Sequence, residues 1–327
     1  MRTITAHERD LILDITGEGL TPLPAGAVEK DLLITEVLHK MAEIDDGELQ
    51  LIFCGGTCLS KAHGLIGRMS EDIDFKVVVS EGLSRSLKRK RLGQLKTQLI
   101  SVLCNEGFLV PEKEVIARDE NGYISINIRY ESRFGSIASL RPEIKLELSA
   151  RPLLLPFEQL PVRSILALLI EPVAAGISMN CLGVQESIGE KVLSFLRRTA
   201  ETLAGKIPEE YDDRLIRHIY DVSVINRRLP DLTSTLSGEV FEKMVMADAE
   251  RFIRQFPEFR MNPVAEMYRS LEYLENNKAF AGQYNRFVEE LVYGDSLSFE
   301  DAKRVFISFT KKVLSSINDK PERLLYE

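Results

Sequence analysis

The 327-residue sequence predicts an α+β fold in which a mixed β-sheet is followed by an all-α helical domain. Two patterns predict this fold. Up to about residue 150, amphipathic helical segments are mixed with short runs of alternating apolar and polar residues, as in strands with one buried face. Beyond the Pro-containing segment Arg151–Arg163, apolar residues recur at helical spacing almost to the end. We therefore expect two domains, 1–155 and 156–327, with Arg151–Arg163 as the linker.

The predicted elements of the first domain include both helices and strands, and those of the second are all helices. In chain order the first domain has a helix at Val28–Ile44, a strand ending at Cys54, a strand with Asp72 and Asp74, a basic helix to about Asn105, and strands near Tyr123–Tyr130 and Glu143–Ser149. The second has helices at Val184–Thr199, Asp212–Arg228, Gly238–Gln255, Pro263–Asn276, Phe280–Tyr293 and Phe299–Ile317.

Composition is typical of a soluble globular protein, since 44% of the residues are hydrophobic and can form a core in each domain. No window approaches the roughly 18 uninterrupted apolar residues of a membrane-spanning helix, and the N-terminus lacks the apolar region of a secretory signal. We therefore expect a cytoplasmic protein with no membrane partner. The four cysteines lack zinc-site spacing and are expected to be reduced thiols in the core.

The segment from Cys54 to Phe75 carries the clearest chemical pattern and reads CGGTCLSKAHGLIGRMSEDIDF. Side chains alternate along an extended strand, so Asp72 and Asp74 share one face while Ile73 faces the core. Two carboxylates this close repel each other, and a hard divalent cation such as Mg²⁺ (or Mn²⁺) relieves the repulsion and also binds triphosphate oxygens. The pair therefore predicts the metal site of a nucleotidyltransferase that uses a nucleoside triphosphate.

A glycine turn precedes the two aspartates. Gly55 and Gly56 follow an apolar strand, and Thr57 can cap a short helix that runs through Lys61, which leaves backbone N–H groups available to phosphate. The spacing differs from both the Walker P-loop and the dinucleotide fingerprint. We expect these four residues and Ser70 to bind the nucleotide. Considered alone, the glycines are equally typical of an ordinary strand-to-helix turn.

A third carboxylate is predicted by alternation in Pro142–Ser149, where apolar residues form one face and Lys145 and Glu147 belong to the other. If this strand lies beside the strand of Asp72 with the polar faces aligned, Glu147 becomes the third acid. It could then bind metal or activate an attacking hydroxyl. The alternative is a solvent-facing ladder of Glu and Lys side chains.

Lys191 falls inside the apolar stripe of the helix Val184–Arg198, where a lysine needs an anionic partner. Glu186 and Glu190 project toward a different side, so a triphosphate is the more useful partner. The alternative is that the stem packs on the core while the ammonium reaches water. In the next helix, Asp221 lies at the edge of the apolar face and is expected to be half-buried.

Taken together, several ordered motifs resemble the AbiEii/AbiGii toxin family of nucleotidyltransferases. The motifs are spread over about two thirds of the chain and read VEKDLLITEVLHKM (28–41), GGTCLSKAHGLIGRMSEDIDF (55–75), PEIKLELS (142–149), Glu190-Lys191 and RHIYDV (217–222). The resemblance implies a DNA polymerase β-like nucleotidyltransferase domain followed by a helical domain, with Mg²⁺ and a nucleoside triphosphate. It also implies metal binding by Asp72 and Asp74, and assigns Lys191 and Asp221 to the downstream motif positions.

The same resemblance implies a toxin of a toxin–antitoxin or phage-abortive-infection system, with a cognate antitoxin as partner. Relatives add nucleotides to the 3′ end of tRNA, so the expected partner is RNA, in particular tRNA. The net charge of −8 disfavours RNA binding, but Arg85–Arg91 places five basic residues in seven on one helix. That run is equally typical of a solvated helix face. Two other functions remain open: nucleotide transfer to a protein or small-molecule hydroxyl, and an idle module that only binds RNA or antitoxin.

Overall fold

The computed structural model describes residues 1–44, 47–135, 137, 139–171, 175–206, 213–231 and 236–318. The chain divides into two units, Met1–Gly183 and Val184–Glu327. The first contains a seven-stranded sheet with parallel and antiparallel pairs. Within the described part of the second, all regular elements are helices. The predicted α+β class, with a mixed sheet followed by helices, is confirmed.

The strands of the first unit follow the order β3-β4-β5-β2-β1-β7-β6 across the sheet. Its elements in chain order are α1 Ala6–Gly17, α2 Ala25–Ala42, β1 Leu49–Cys54, α3 Gly55–Lys61, β2 Asp72–Val79, α4 Arg85–Asn105, β3 Val115–Arg118, β4 Tyr123–Ile128, β5 Ile144–Ala150, β6 Glu158–Val162, α5 Ile165–Ile170 and β7 Ile177–Cys181. At the centre, β2 pairs with β1 in the antiparallel direction and with β5 in parallel.

The central strands have one apolar and one polar face, as alternation predicts. Ile73 and Phe75 of β2 and Leu146 and Leu148 of β5 are at most 2% exposed. The ring of Phe75 lies 5.5 Å from that of Phe53 in β1. Burying these side chains fixes the register of the strands, because a shift by one residue would turn the aspartates of β2 into the core.

The sheet continues beyond residue 155, where the sequence predicts the end of the first domain. Arg151–Arg163, predicted as a linker, contributes β6, which pairs with β7 in the antiparallel direction. The structure divides after Gly183 instead. Strand β6 is difficult to detect from sequence because it contains Pro161 and is mostly exposed, as a strand at a sheet edge can be.

Helices of the second unit pack around aromatic side chains. They are α6 Val184–Leu203, α7 Ile216–Arg228, α8 Gly238–Arg251, α9 Pro257–Met261, α10 Pro263–Asn276, α11 Ala279–Leu291 and α12 Phe299–Asn318. The ring of Phe195 lies 5.1 Å from that of Phe306, and that of Tyr220 lies 5.5 Å from that of Phe287. Asp212, the predicted start of one helix, lies outside the described residues.

Two further expectations concern the chain as a whole. In the described ranges, no helix is long and apolar enough to cross a membrane. All four cysteines are free thiols, as predicted, and three of them are buried. Cys104 is exposed on α4 rather than part of the core, because it lies on the solvent side of that helix.

Candidate active site

The two aspartates of β2 share one face of the sheet. Asp72 and Asp74 are half-buried, and the residue between them, Ile73, is fully buried on the opposite face. Across the parallel pair with β5, Asp72 lies opposite Lys145 and Asp74 lies opposite Glu147. The structure therefore brings Glu147 next to Asp74 with the polar faces aligned, which is the arrangement that the predicted third acid requires.

Glu147 also has two close partners on its own face. Its Oε1 accepts a hydrogen bond from the Tyr123 hydroxyl of β4, and it lies 2.9 Å from Lys145 Nζ. Burial, with a contribution from the bond to Glu147, raises the pKa of Tyr123 to about 12, so the phenol remains a donor at neutral pH. Sequence reasoning missed Tyr123, although the alternation of Tyr123–Ile128 places it on the polar face.

Asp72 accepts a hydrogen bond and ion pair from the guanidinium of Arg141, a residue between β4 and β5 that sequence reasoning also missed. Burial raises the pKa of the Asp72 carboxyl, and the positive charge of Arg141 opposes that shift. The Asp72 side chain is 30% exposed and that of Arg141 is 19% exposed. Both groups can therefore still be reached from solvent.

The glycine turn packs directly against the aspartates. Gly55 has φ +78°, and a Cβ at this position would overlap the carboxylate of Asp74. A Cβ at Gly56 would lie 2.5 Å from Arg68 Nη2 and 2.9 Å from Ser70 Oγ. Gly55 is required by its positive φ and by Asp74, while a side chain at Gly56 would displace the ends of the Arg68 and Ser70 side chains. The absence of side chains leaves the backbone of the turn beside Asp74, Arg68 and Ser70.

Thr57 links this turn to β2. The cap of α3 is Cys54, so Thr57 lies within the helix and does not cap it as the sequence predicted. Its fully buried hydroxyl donates to the backbone carbonyl of Asp72 and lies 3.0 Å from Ser70 Oγ. Thr57 therefore orients the start of β2, while its hydroxyl is already used within the protein.

The ammonium of Lys61 has partners on another helix. It forms an ion pair with Asp31 of α2 and lies 2.9 Å from Thr35 Oγ1. Burial lowers the pKa of Lys61, and Asp31 opposes that shift. The other carboxylate oxygen of Asp31 accepts the N–H of Ile165 at 2.7 Å, at the start of α5. Lys61 thus holds α3 against α2 through a buried ion pair.

Lys191 and Asp221 contact each other within the second unit. Lys191 Nζ of α6 lies 2.7 Å from Asp221 Oδ2 of α7, and the two side chains are 8% and 0% exposed. Asp221 is therefore fully buried rather than half-buried, because the pairing with Lys191 turns it into the interior. The anionic partner that Lys191 was expected to need is present in the protein itself.

The chemistry of the donors near β2 is suited to a hard divalent cation. Asp72 and Asp74 offer carboxylate oxygens on one face, and oxygen is the ligand that Mg²⁺ prefers. In the described ranges, no group of three or more His, Cys, Asp or Glu side chains is arranged to hold a metal. The two aspartates fit the metal, while Glu147 is bound to Tyr123 and Lys145.

Comparison with known proteins identifies the class. The family model described as nucleotidyl transferase AbiEii toxin, type IV TA system, matches residues 38–305. Because this match covers most of the chain, the protein is a nucleotidyltransferase. More particularly, the chain belongs to the AbiEii toxin family of type IV toxin–antitoxin systems. This confirms the resemblance seen in the motifs, and a toxin of this family implies an antitoxin partner.

Chains of solved structures also match, and MenT4 is one of them. MenT4, a nucleotidyltransferase toxin from Mycobacterium tuberculosis H37Rv, is 17% identical, with a TM-score of 0.39. The similarity covers 92% of this chain and 98% of the MenT4 chain. No curated protein sequence matches the chain.

Proposed function

We propose that this nucleotidyltransferase moves a nucleotide from a nucleoside triphosphate to the 3′ end of tRNA, and that this reaction inhibits growth or phage propagation in the cytoplasm until an antitoxin neutralises it. Family membership supports the reaction class and the antitoxin. The observation that carries the proposal is the cluster of Asp72, Asp74 and Glu147 on one face of the sheet, with the Gly55 backbone packed against Asp74.

In the proposed reaction, the acceptor hydroxyl attacks the α-phosphate in line and pyrophosphate leaves. Mg²⁺ held by Asp72 and Asp74 would offset negative charge on the attacking and leaving oxygens. The backbone of Gly55 and Gly56 and the hydroxyl of Ser70 bind phosphate oxygens through hydrogen bonds.

Three acidic and basic residues outside the turn have proposed roles as well. Glu147 accepts the proton of the attacking hydroxyl, and the hydrogen bond from Tyr123 fixes its carboxylate for this purpose. On the family motif, Lys191 is a proposed triphosphate ligand that Asp221 orients through their ion pair. Thr57 and Lys61 contribute by holding α3 in place.

RNA binding is proposed for the first turns of α4. Arg85 is paired with Glu120 at 2.7 Å, and Arg91 is paired with Glu48. Arg89 and Lys90 are exposed on the same stretch of helix. Such a local group of positive charges can attract phosphate although the whole chain is acidic.

The test is a labelling experiment. The protein is incubated with each α-labelled nucleoside triphosphate, Mg²⁺ and total bacterial RNA, and the products are separated on a denaturing gel. We expect label in tRNA-sized bands, its loss in EDTA, and a fall on the order of 10³-fold in Asp74→Asn, because metal stabilisation of several kcal/mol is removed.

Asp10→Asn is the matched control, because Asp10 is an exposed carboxylate of α1, 67% exposed as a side chain. It should label RNA as the unmodified protein does. Label that enters a purified protein or a small molecule, and no RNA, would replace the tRNA proposal. Full labelling by a folded Asp74→Asn variant would exclude the proposed metal site.

A further inference from the structure

Arg141 occupies a distinctive position in the candidate site. Its guanidinium donates to the Asp72 carboxylate, which is a proposed metal ligand. An arginine and a divalent cation both neutralise a carboxylate, so each weakens the interaction of the other with it. Binding of metal at Asp72 therefore depends on where the Arg141 side chain lies.

A buried ion pair holds both the backbone carbonyl and the backbone N–H of Arg141. Lys30 Nζ of α2 lies 2.6 Å from Glu71 Oε2 and donates to the Arg141 carbonyl at 2.7 Å. The same Glu71 oxygen accepts the Arg141 N–H at 2.8 Å. Lys30 and Glu71 are 1% and 3% exposed. Because Glu71 is the residue before Asp72, this pair fixes the Arg141 main chain beside β2.

Glu29, which precedes Lys30 on α2, holds the segment between β4 and β5 at a second point. Glu29, fully buried, accepts hydrogen bonds from the Ser132 hydroxyl at 2.5 Å and from the Arg133 N–H at 2.7 Å. Two buried charged groups on α2 thus anchor the chain between β4 and β5. The side chain of Arg141 is 19% exposed and pairs with Asp72, so a change of partner requires rotation of the side chain while the backbone stays anchored.

We infer that Arg141 is a substrate-binding residue with two alternative partners. In the absence of metal its guanidinium pairs with Asp72, and when a divalent cation binds Asp72 the guanidinium moves to the triphosphate and pairs with it. This inference rests on the proposed function, in which Asp72 binds metal. A guanidinium binds phosphate oxygens strongly through paired hydrogen bonds. Metal and nucleotide should then bind cooperatively, because each removes a competitor of the other.

The test measures two affinities of the full chain in Arg141→Gln. Mn²⁺ alone, followed by electron paramagnetic resonance, should bind about tenfold more tightly, because the competing charge is gone. A nucleoside triphosphate in saturating Mn²⁺ should bind about tenfold more weakly, because a charged donor is lost. Arg141→Lys should show smaller changes in the same directions. A variant that is merely misfolded loses both affinities.

Arg129→Gln is the control, since Arg129 forms an exposed ion pair with Glu114 and should leave both affinities unchanged. If Arg141→Gln and Arg141→Lys unfold in urea as the unmodified protein does, then affinities that are unchanged, or that change in the same direction for metal and nucleotide, overturn the inference. Asp72→Asn separates the two proposals. If it leaves Mn²⁺ binding intact, the proposed metal site fails; if it abolishes Mn²⁺ binding while Arg141→Gln binds nucleotide normally, only the role of Arg141 fails.

Discussion

Gly55 links the glycine turn to the Asp74 carboxylate through a backbone conformation that other residues adopt at a cost. Its φ of +78° costs an L-residue about 1–2 kcal/mol, and a methyl group would also overlap Asp74. We expect Gly55→Ala to lower the free energy of unfolding by about 3 kcal/mol and to reduce labelling at least about tenfold, because the carboxylate must move. Urea denaturation and the labelling reaction measure the two effects.

Gly19→Ala separates the backbone effect from the overlap. Gly19 has a similar φ of +70°, but a Cβ there would meet nothing within 4 Å. The variant should lose only about 1 kcal/mol and keep its activity. If the two alanine variants behave alike, the contact between Gly55 and Asp74 has no role in the reaction.

Single residues also show what the sequence could predict about the site. Alternation placed Asp72, Asp74 and Glu147 on polar faces, because burial of their neighbours leaves a strand no other orientation. It could not predict that Tyr123 and Arg141 bind two of these acids. The Tyr123–Glu147 pair, 24 positions apart, depends on the order of the strands in the sheet. The Arg141–Asp72 pair, 69 positions apart, depends on a segment between strands that has no periodic pattern.

Helices α6 and α7 are joined by the buried ion pair of Lys191 and Asp221, whose structural and chemical roles can be separated. Asp221→Asn leaves the Lys191 ammonium without its counter-charge and should lower the free energy of unfolding by about 3–5 kcal/mol. Adding Lys191→Met removes the uncompensated charge and should restore much of that loss. Urea denaturation measures both variants.

The labelling reaction then distinguishes the two roles of the pair. If Lys191 binds the triphosphate, the stable double variant remains inactive. A double variant that labels RNA at the original rate would leave Lys191 as a structural residue only, and the family motif would then describe packing rather than chemistry at this position.

Elements were predicted well where burial makes a clear period and poorly where it does not. The helices α6, α7, α8, α10, α11 and α12 and the strands β2 and β5 have buried stripes or faces that the sequence displays. The short helix α9 was not predicted, because Phe259 is its one buried residue. Strand β6 has only Val162 buried, so its pattern carried no such information. Its partner β7 was missed for the same reason, since Met179 and Cys181 are its only buried residues in the part that the structure describes.

On the scale of the whole molecule, 42 basic and 50 acidic residues give a net charge of −8, which repels RNA at long range. Any RNA affinity must then come from a local surface, and the exposed Arg89 and Lys90 of α4 are the proposed part of it. Arg89→Glu with Lys90→Glu should raise the KM for RNA about tenfold near 0.1 M salt. It should also reduce the slope of log affinity against log salt by about 2, while the KM for nucleotide is unchanged.

Lys311→Glu with Lys312→Glu is the matched control, because both lysines are exposed on α12 and the change in net charge is the same. If repulsion by the whole molecule governs RNA binding, the two double variants lose affinity equally. If α4 contacts the phosphates, only the Arg89 and Lys90 variant does, because short-range contacts depend on position while the net charge does not. Equal KM values for RNA in these two variants would therefore remove α4 from the acceptor site and leave the nucleotidyltransfer chemistry at β2 untouched.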